Sequence, residues 1–173
     1  MKILVFSDSH RFVDPMKRVL RLVRDSVSMV VHLGDGYYDA LQLAEDYPGL
    51  PFHLVAGNCD HGDWEDINTF HVAGKKFIMV HGHMQHVKSG FLRLSTLADE
   101  MEADVCLFGH THVPTLFYWG TTLMMNPGTI GSRRGQPTYG VIEMRDDGCA
   151  LPSIVSIGEN GFSLVDAWTT PVM

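Results

Sequence analysis

The chain has 173 residues, of which 45% are apolar and 19% are charged, a composition typical of one compact domain spanning residues 1–173. Thirteen Lys and Arg residues against twenty Asp and Glu residues leave a formal charge of −7, which argues against sequence-independent binding to nucleic acid. The apolar run near the N-terminus is too short for a signal peptide, and no segment approaches the roughly 18 apolar residues of a membrane span. The three cysteines form no CxxC pair and no even-numbered disulfide framework, so we expect a cytoplasmic protein.

Short, almost unbroken apolar runs predict strands that are covered on both faces. They lie at residues 3–6, 29–31, 52–55, 77–80 and 105–108. Between them, apolar residues recur at helical spacing in three stretches that begin at Met16, Ala40 and Leu94, and each stretch predicts an amphipathic helix. Asp14 followed by Pro15 predicts the N-cap and the first position of the first helix.

The alternation of strands and helices predicts an α/β fold with parallel strands and crossover helices. Tight-turn sequences at residues 73–75, 119–121 and 145–148 predict hairpins, and therefore a second, partly antiparallel sheet. Two mixed sheets that cover each other, with helices outside, would form a four-layer α-β-β-α sandwich. The pattern alone leaves a single mixed sheet open.

Side chains that commonly bind metals follow each of the five predicted strands. They are Asp8 with His10, Asp35, Asn58, His81, and His110 with His112. Because ligands of α/β sheets bind beyond the carboxyl ends of the strands, we expect these side chains to converge. Asp, His and Asn suit a borderline divalent ion better than Ca²⁺ or a thiolate-bound metal. Seven ligands exceed the need of one four-coordinate ion but would serve two ions if Asp35, in the middle, bridged them.

The motifs DxH, GD, GN, HGH and GHTH, in this order, resemble those of the calcineurin-like metallophosphoesterases over nearly the whole chain. Cys59 after Asn58, and the segment Asn126-Pro127-Gly128, make the chain most similar to the small prokaryotic phosphodiesterases that lack a cap domain. The resemblance implies a ββ sandwich flanked by helices, which agrees with the strand and helix pattern.

The resemblance also implies two ions that share Asp35. One ion would be held by Asp8, His10, Asp35 and His112, and the other by Asp35, Asn58, His81 and His110. Mn²⁺ is the expected ion, with Ni²⁺, Fe²⁺ or Zn²⁺ as alternatives. Two ions about 3.5–4 Å apart would turn a shared water into hydroxide for in-line attack at phosphorus. The implied activity is hydrolysis of a small or activated phosphodiester, with Asp35, Asn58 and His83 as catalytic residues.

Two other functions remain open from the sequence. One is a phosphomonoesterase or nucleotide phosphatase, and the other is an interaction scaffold of the same fold. A small phosphoester is the expected partner, no membrane is expected, and formation of a homo-oligomer stays open. His83 could contact the substrate or have a structural role, whereas His32, His53 and His71 are expected to be ordinary core or surface histidines.

The chain departs from many relatives at Cys59, where they carry a histidine that protonates the leaving group. The thiol could donate a proton, but an inert role is favoured, and Asp60 or His83 could assist instead. Because proton donation contributes about 10²–10⁴-fold, its loss would favour substrates with good leaving groups. Arg133 and Arg134 could bind phosphate through bidentate hydrogen bonds or lie in a solvated turn.

Overall fold

The computed structural model describes residues 1–132, 135–159 and 161–170. Within these ranges the chain forms eleven strands, three α-helices and a short 3₁₀ turn at Arg24–Ser26. The helices are α1 (Val13–Val23), α2 (Tyr37–Glu45) and α3 (Leu92–Glu100). The strands are β1 (Lys2–Phe6), β2 (Met29–His32), β3 (Phe52–Leu54), β4 (Ile67–Val72), β5 (Lys75–Val80), β6 (Val105–Leu107), β7 (Thr115–Trp119), β8 (Thr122–Asn126), β9 (Thr138–Met144), β10 (Ala150–Gly158) and β11 (Gly161–Val165). None of the helices in this part of the chain is long and apolar enough to cross a membrane.

The strands form two mixed sheets. The first has the order β11-β10-β9-β1-β2-β3, and the second has the order β4-β5-β6-β8-β7. In the first sheet β1, β2 and β3 are parallel, and β9 runs antiparallel to β1. In the second sheet β5, β6 and β8 are parallel, with β4 and β7 as antiparallel edges. The hairpins β4–β5, β7–β8 and β9–β10 turn at the three predicted turn sequences, so those predictions are confirmed.

Three apolar clusters define the layers. The largest lies between the two sheets and includes Ile3, Val31, Phe77 and Leu107. A second cluster packs α1 and α2 against the outer face of the first sheet, and a third packs α3 against the outer face of the second sheet. Because each buried aliphatic or aromatic side chain contributes about 1.5–3 kcal/mol, both faces of each sheet stabilise the fold. The predicted four-layer α-β-β-α sandwich of two mixed sheets is therefore confirmed, and the single mixed sheet is excluded.

Helix α1 begins before its predicted cap. Phe12 occupies the N-cap position without a side-chain cap hydrogen bond, and Asp14 lies inside the first turn. The predictions of Asp14 as the N-cap and of Pro15 as the first helical residue are therefore wrong, because Pro15 is the third residue of α1. The carboxylate still interacts favourably with the positive end of the helix dipole. Pro15 is tolerated there because first-turn residues have no intrahelical acceptor for an amide proton.

The loops after the parallel strands meet at one edge of the sandwich. The amide of Asp8 donates to the carbonyl of Gly34 over 3.0 Å, which joins the loops after β1 and β2. The amide of Gly109 donates to the carbonyl of His81 over 2.9 Å, which joins the loops after β5 and β6. Both sheets thus contribute to a single loop cluster, where the predicted ligands lie.

Candidate metal centre

Four side chains form what we call the first group: Asp8, His10, Asp35 and His112. One ligand atom of each lies within 4.8 Å of the others. Nε2 of His112 lies 3.0 Å from Oδ1 of Asp8 and 3.2 Å from Nε2 of His10. Nε2 of His10 lies 3.9 Å from a carboxylate oxygen of each aspartate. Both aspartates are buried and the two histidines are more exposed. The carboxylates therefore lie deeper in the group, and the imidazole rings lie closer to solvent.

The second group consists of Asp35, His81 and His110. Nε2 of His81 lies 3.2 Å from Nδ1 of His110 and 3.5 Å from Oδ1 of Asp35. Asp35 belongs to both groups, which is the central position expected of it from the sequence. The structure thus brings together six of the seven predicted metal ligands.

A hydrogen bond to the backbone sets which ring nitrogen of His81 faces Asp35. Its Nδ1 lies 2.7 Å from the carbonyl oxygen of Leu33, and because a carbonyl can only accept, Nδ1 carries the proton. In the neutral ring, Nε2 then presents a lone pair to the carboxylate of Asp35. Two acceptors that face each other are stabilised by a cation between them, and a backbone acceptor on the other ring nitrogen is typical of metal-binding histidines.

Asp8 gives the same indication in the first group. Its Oδ2 accepts hydrogen bonds from the Ser7 hydroxyl over 2.5 Å and from the His110 amide over 3.1 Å. Its Oδ1 is buried, has no hydrogen-bond partner among the described residues, and faces Nε2 of His112. Buried carboxylate oxygens need a partner. The donor set of the two groups fits two divalent cations that share Asp35.

The pKa values in the cluster reflect burial and neighbouring charges. Burial alone would raise the pKa of Asp8, but the close approach of the His112 ring, together with other contacts, lowers it overall. The same contact raises the pKa of His112. Burial, with nearby His81, lowers the pKa of His110 to about 4. Its imidazole is therefore neutral at pH 7, the form that binds metals.

The ligand-bearing backbone is strained. Five of the predicted ligands have left-handed φ angles, although none is glycine: Asp8 (55°), His10 (47°), Asp35 (54°), His110 (68°) and His112 (61°). Such conformations are uncommon for these residues and cost on the order of 1–3 kcal/mol each. They persist only where the surrounding structure holds them, as at functional sites.

A hydrogen-bonded network supports the loop after β1. Oδ2 of Asp39 accepts from the Ser9 hydroxyl over 2.6 Å and from the Arg11 amide over 2.7 Å. Behind it, Nδ1 of His32 accepts from the Gly34 amide over 3.3 Å, which leaves Nε2 to donate to Ser9 over 3.1 Å. His32 is a buried structural histidine, and burial lowers its pKa to about 4. The sequence did not single out Asp39, because an acidic residue in a first helical turn is ordinary.

The loop after β3, which carries Asn58, Cys59 and Asp60, contacts the Asp35 carboxylate through its backbone. The amide of Cys59 donates to Oδ1 of Asp35 over 2.8 Å, and a Cβ added to Gly57 would collide with the Asp35 carboxylate. Asn58 is exposed, and its Nδ2 lies 3.3 Å from Sγ of Cys59. Its role as a ligand stays a prediction. Partial desolvation and the nearby Asp35 raise the pKa of the Cys59 thiol to about 11, so the thiol is protonated at neutral pH.

Asp60 has a structural position. Its Oδ1 accepts from the amides of Gly36 and Tyr37 over 3.0 and 2.9 Å, and its Oδ2 accepts from the Gly57 amide over 2.8 Å. The carboxylate thus caps the N-terminus of α2 from another loop. Because both of its oxygens accept backbone hydrogen bonds, these contacts support a structural role for Asp60 over the proton donor that the sequence left open.

His83 lies beside the second group. Its ring centroid is 5.5 Å from that of His81 and 6.1 Å from that of His110. Partial burial and the neighbouring His81 lower its pKa. Its Nδ1 is buried with no hydrogen-bond partner in the described part of the chain. His83 is thus close enough to the cluster for the substrate contact considered from the sequence, whereas Arg133 and Arg134 lie outside the described residues.

The family model and the similar proteins found by sequence comparison are all phosphoesterases. The model of the calcineurin-like phosphoesterase superfamily domain matches residues 1–147. Probable metallophosphoesterase YsnB of Bacillus subtilis is 30% identical over 155 residues, which cover 87% of this chain and 89% of that protein. Phosphodiesterase MJ0936 of Methanocaldococcus jannaschii is 27% identical over 162 residues, which cover 83% and 93%.

Solved structures confirm the fold. A predicted phosphoesterase of Streptococcus pneumoniae TIGR4 superimposes with a TM-score of 0.71 at 27% identity, covering 95% of this chain and 96% of that one. Vps29 of Chaetomium thermophilum superimposes with a TM-score of 0.78 at 16% identity, covering 95% and 94%. At that identity the second likeness concerns the fold alone.

Proposed function

The chain belongs to the calcineurin-like phosphoesterase superfamily, and we propose that it is a metal-dependent phosphodiesterase acting on small or activated diesters. The observation that carries this proposal is the pair of ligand groups that share Asp35. The name of the relative MJ0936, a phosphodiesterase, supports the choice of a diester over a monoester. The location proposed for the protein is the cytoplasm.

In this proposal Asp8, His10, Asp35 and His112 hold one ion, and Asp35, Asn58, His81 and His110 hold the other. Mn²⁺ is the proposed metal, with Ni²⁺, Fe²⁺ or Zn²⁺ as alternatives, since carboxylate and imidazole donors suit all of these. When bound, two such metal ions would supply Lewis acidity, which activates water as the nucleophile and neutralises charge on the phosphoryl oxygens.

The protein's own groups orient this chemistry. The Cys59 amide holds the shared carboxylate of Asp35, and the Leu33 carbonyl fixes the tautomer of His81. His83 lies beside the second group, where its imidazole can donate a hydrogen bond to an oxygen of the substrate. Because Cys59 replaces the histidine of many relatives, substrates whose leaving group departs without protonation are favoured, such as aryl diesters.

The loops around the centre favour a small substrate. The chain between Asn58 and His81 is largely taken up by the β4–β5 hairpin, so no cap domain lies between these two predicted ligands. Substrate selection therefore depends on short loops at the rim. A small phosphoester fits such an open site better than a substrate that must be enclosed.

The test is hydrolysis of bis(p-nitrophenyl) phosphate beside p-nitrophenyl phosphate. Chelator-treated protein is reconstituted in turn with Mn²⁺, Ni²⁺, Zn²⁺ and Mg²⁺. We expect metal to restore activity on the diester more than on the monoester, and Asp35→Asn to abolish it. Asp46→Asn is a matched control, because Asp46 forms an exposed ion pair with Lys17 at the end of α2. Two bound ions without activity on either ester would contradict the proposal.

A further inference from the structure

A pocket of about 350 Å³ opens beside the first group. Its walls include His10 and Asp35 from the candidate centre, Arg11 and Tyr38, and Cys59 and His61. Small-molecule pockets have volumes of about 300–1,000 Å³, so this one accommodates a single compact organic group. A phosphoester bound at the two groups would have this pocket directly next to its phosphorus.

Two carboxylates that line the pocket already accept hydrogen bonds from the protein. Asp39 accepts hydrogen bonds from Ser9 and Arg11, and Asp60 accepts three backbone hydrogen bonds. The carboxylate oxygens that accept these bonds are therefore less available to a ligand. The side chains of Arg11, Tyr38 and His61 are exposed and remain available to contact an occupant.

The ring of Tyr38 is held in place although it is 60% exposed. Trp64 packs edge-on against it, with ring centroids 5.7 Å apart and an interplanar angle of 87°. Trp64 in turn stacks on Tyr37, with centroids 4.4 Å apart. A braced aromatic ring loses little conformational freedom when a ligand stacks on it. Tyr38 is therefore a preformed surface for a flat group.

We propose that this pocket binds the ester group that stays on phosphorus after hydrolysis, and that it selects an aromatic group, which stacks on Tyr38. Arg11 adds a positive charge that favours an electron-rich ring over an alkyl chain. The inference rests on the proposed diesterase function. In this arrangement the leaving group lies on the side of Asp35 away from the pocket, where His83 adjoins the second group.

The test uses two diesters with the same leaving group, phenyl p-nitrophenyl phosphate and methyl p-nitrophenyl phosphate. We expect a KM about tenfold lower for the phenyl ester, the size of effect that aromatic pairing supplies. Tyr38→Ala should reduce this ratio to within about twofold, and Tyr38→Phe should retain it. Tyr118→Ala is the matched control, since Tyr118 is 50% exposed and stacks on Trp168, outside the pocket lining.

A binding measurement separates failure of the subsite from failure of the proposed function. Calorimetric titration of the metal-loaded protein with phenylphosphonate and methylphosphonate needs no turnover. Tighter binding of the phenyl compound that is lost in Tyr38→Ala supports the subsite, whether or not the diesters are hydrolysed. Failure to hydrolyse either diester would overturn the diesterase proposal alone. Equal binding of both phosphonates, or a preference unchanged by Tyr38→Ala, overturns the subsite.

Discussion

The carboxylate of Asp39 accepts a hydrogen bond from the hydroxyl of Ser9 over 2.6 Å. The same oxygen accepts a second hydrogen bond from the amide of Arg11 over 2.7 Å. One residue of α2 is thus hydrogen-bonded to the chain on both sides of His10. The backbone it holds is left-handed at Asp8, His10 and Arg11, with φ angles of 55°, 47° and 71°. These two hydrogen bonds therefore stabilise the left-handed backbone against relaxation to more common φ and ψ angles.

We therefore expect Asp39→Ala to weaken metal binding, although Asp39 is not among the proposed ligands. Groups that orient ligands typically change metal affinity by about 10–100-fold, and the loss should fall on the ion of the first group. Stability should also fall by roughly 1–3 kcal/mol, because the Ser9 and Arg11 donors lose their acceptor. Calorimetric metal titration and urea unfolding measure both effects. Asp46→Ala, which removes only an exposed ion pair, should change neither by much, and unaltered metal affinity in Asp39→Ala would refute the role.

Metal stoichiometry tests the sharing of Asp35. Because His112 belongs to the first group and His110 to the second, His112→Ala and His110→Ala should each reduce the bound metal from two ions to about one. Asp35→Asn should weaken both ions, since its carboxylate is common to the groups. Elemental analysis after dialysis gives the ratio of metal to protein. His71→Ala, an exposed histidine on β4, should retain two ions, and two tightly held ions in Asp35→Asn would rule out a bridging carboxylate.

The thiol of Cys59 should be chemically inert. With its pKa raised to about 11 by partial desolvation and the nearby Asp35, little thiolate is present in the metal-free protein at pH 8. We expect slow alkylation by iodoacetamide, since the thiolate is the reactive form. Cys59→Ser should change kcat/KM for bis(p-nitrophenyl) phosphate by less than about threefold. A loss above about tenfold would assign the sulfur a role in the reaction.

The strands and the chain order of the proposed ligands could be predicted because buried parallel strands show unbroken apolar runs and their carboxyl ends meet at one edge. The roles of Asp39 and Asp60 could not be predicted. Both depend on backbone amides brought from another loop or helix, as when Asp60 caps α2 at Gly36 and Tyr37. Similarly, the start of α1 at Val13 rather than after Asp14 depends on how the loop from β1 enters the helix.

His32 should make the stability of the metal-free protein depend on pH. Burial lowers its folded pKa to about 4 from 6.5, so between these values the unfolded chain binds a proton that the folded chain excludes. Stability is therefore lost as the pH falls, by about 2 kcal/mol from pH 7 to pH 5 for this residue. His32→Gln, whose amide can still donate to Ser9, should lack that share of the loss in urea unfolding, whereas the exposed His71→Gln should keep it. Equal losses in the wild type and in His32→Gln would show that His32 is not the group responsible.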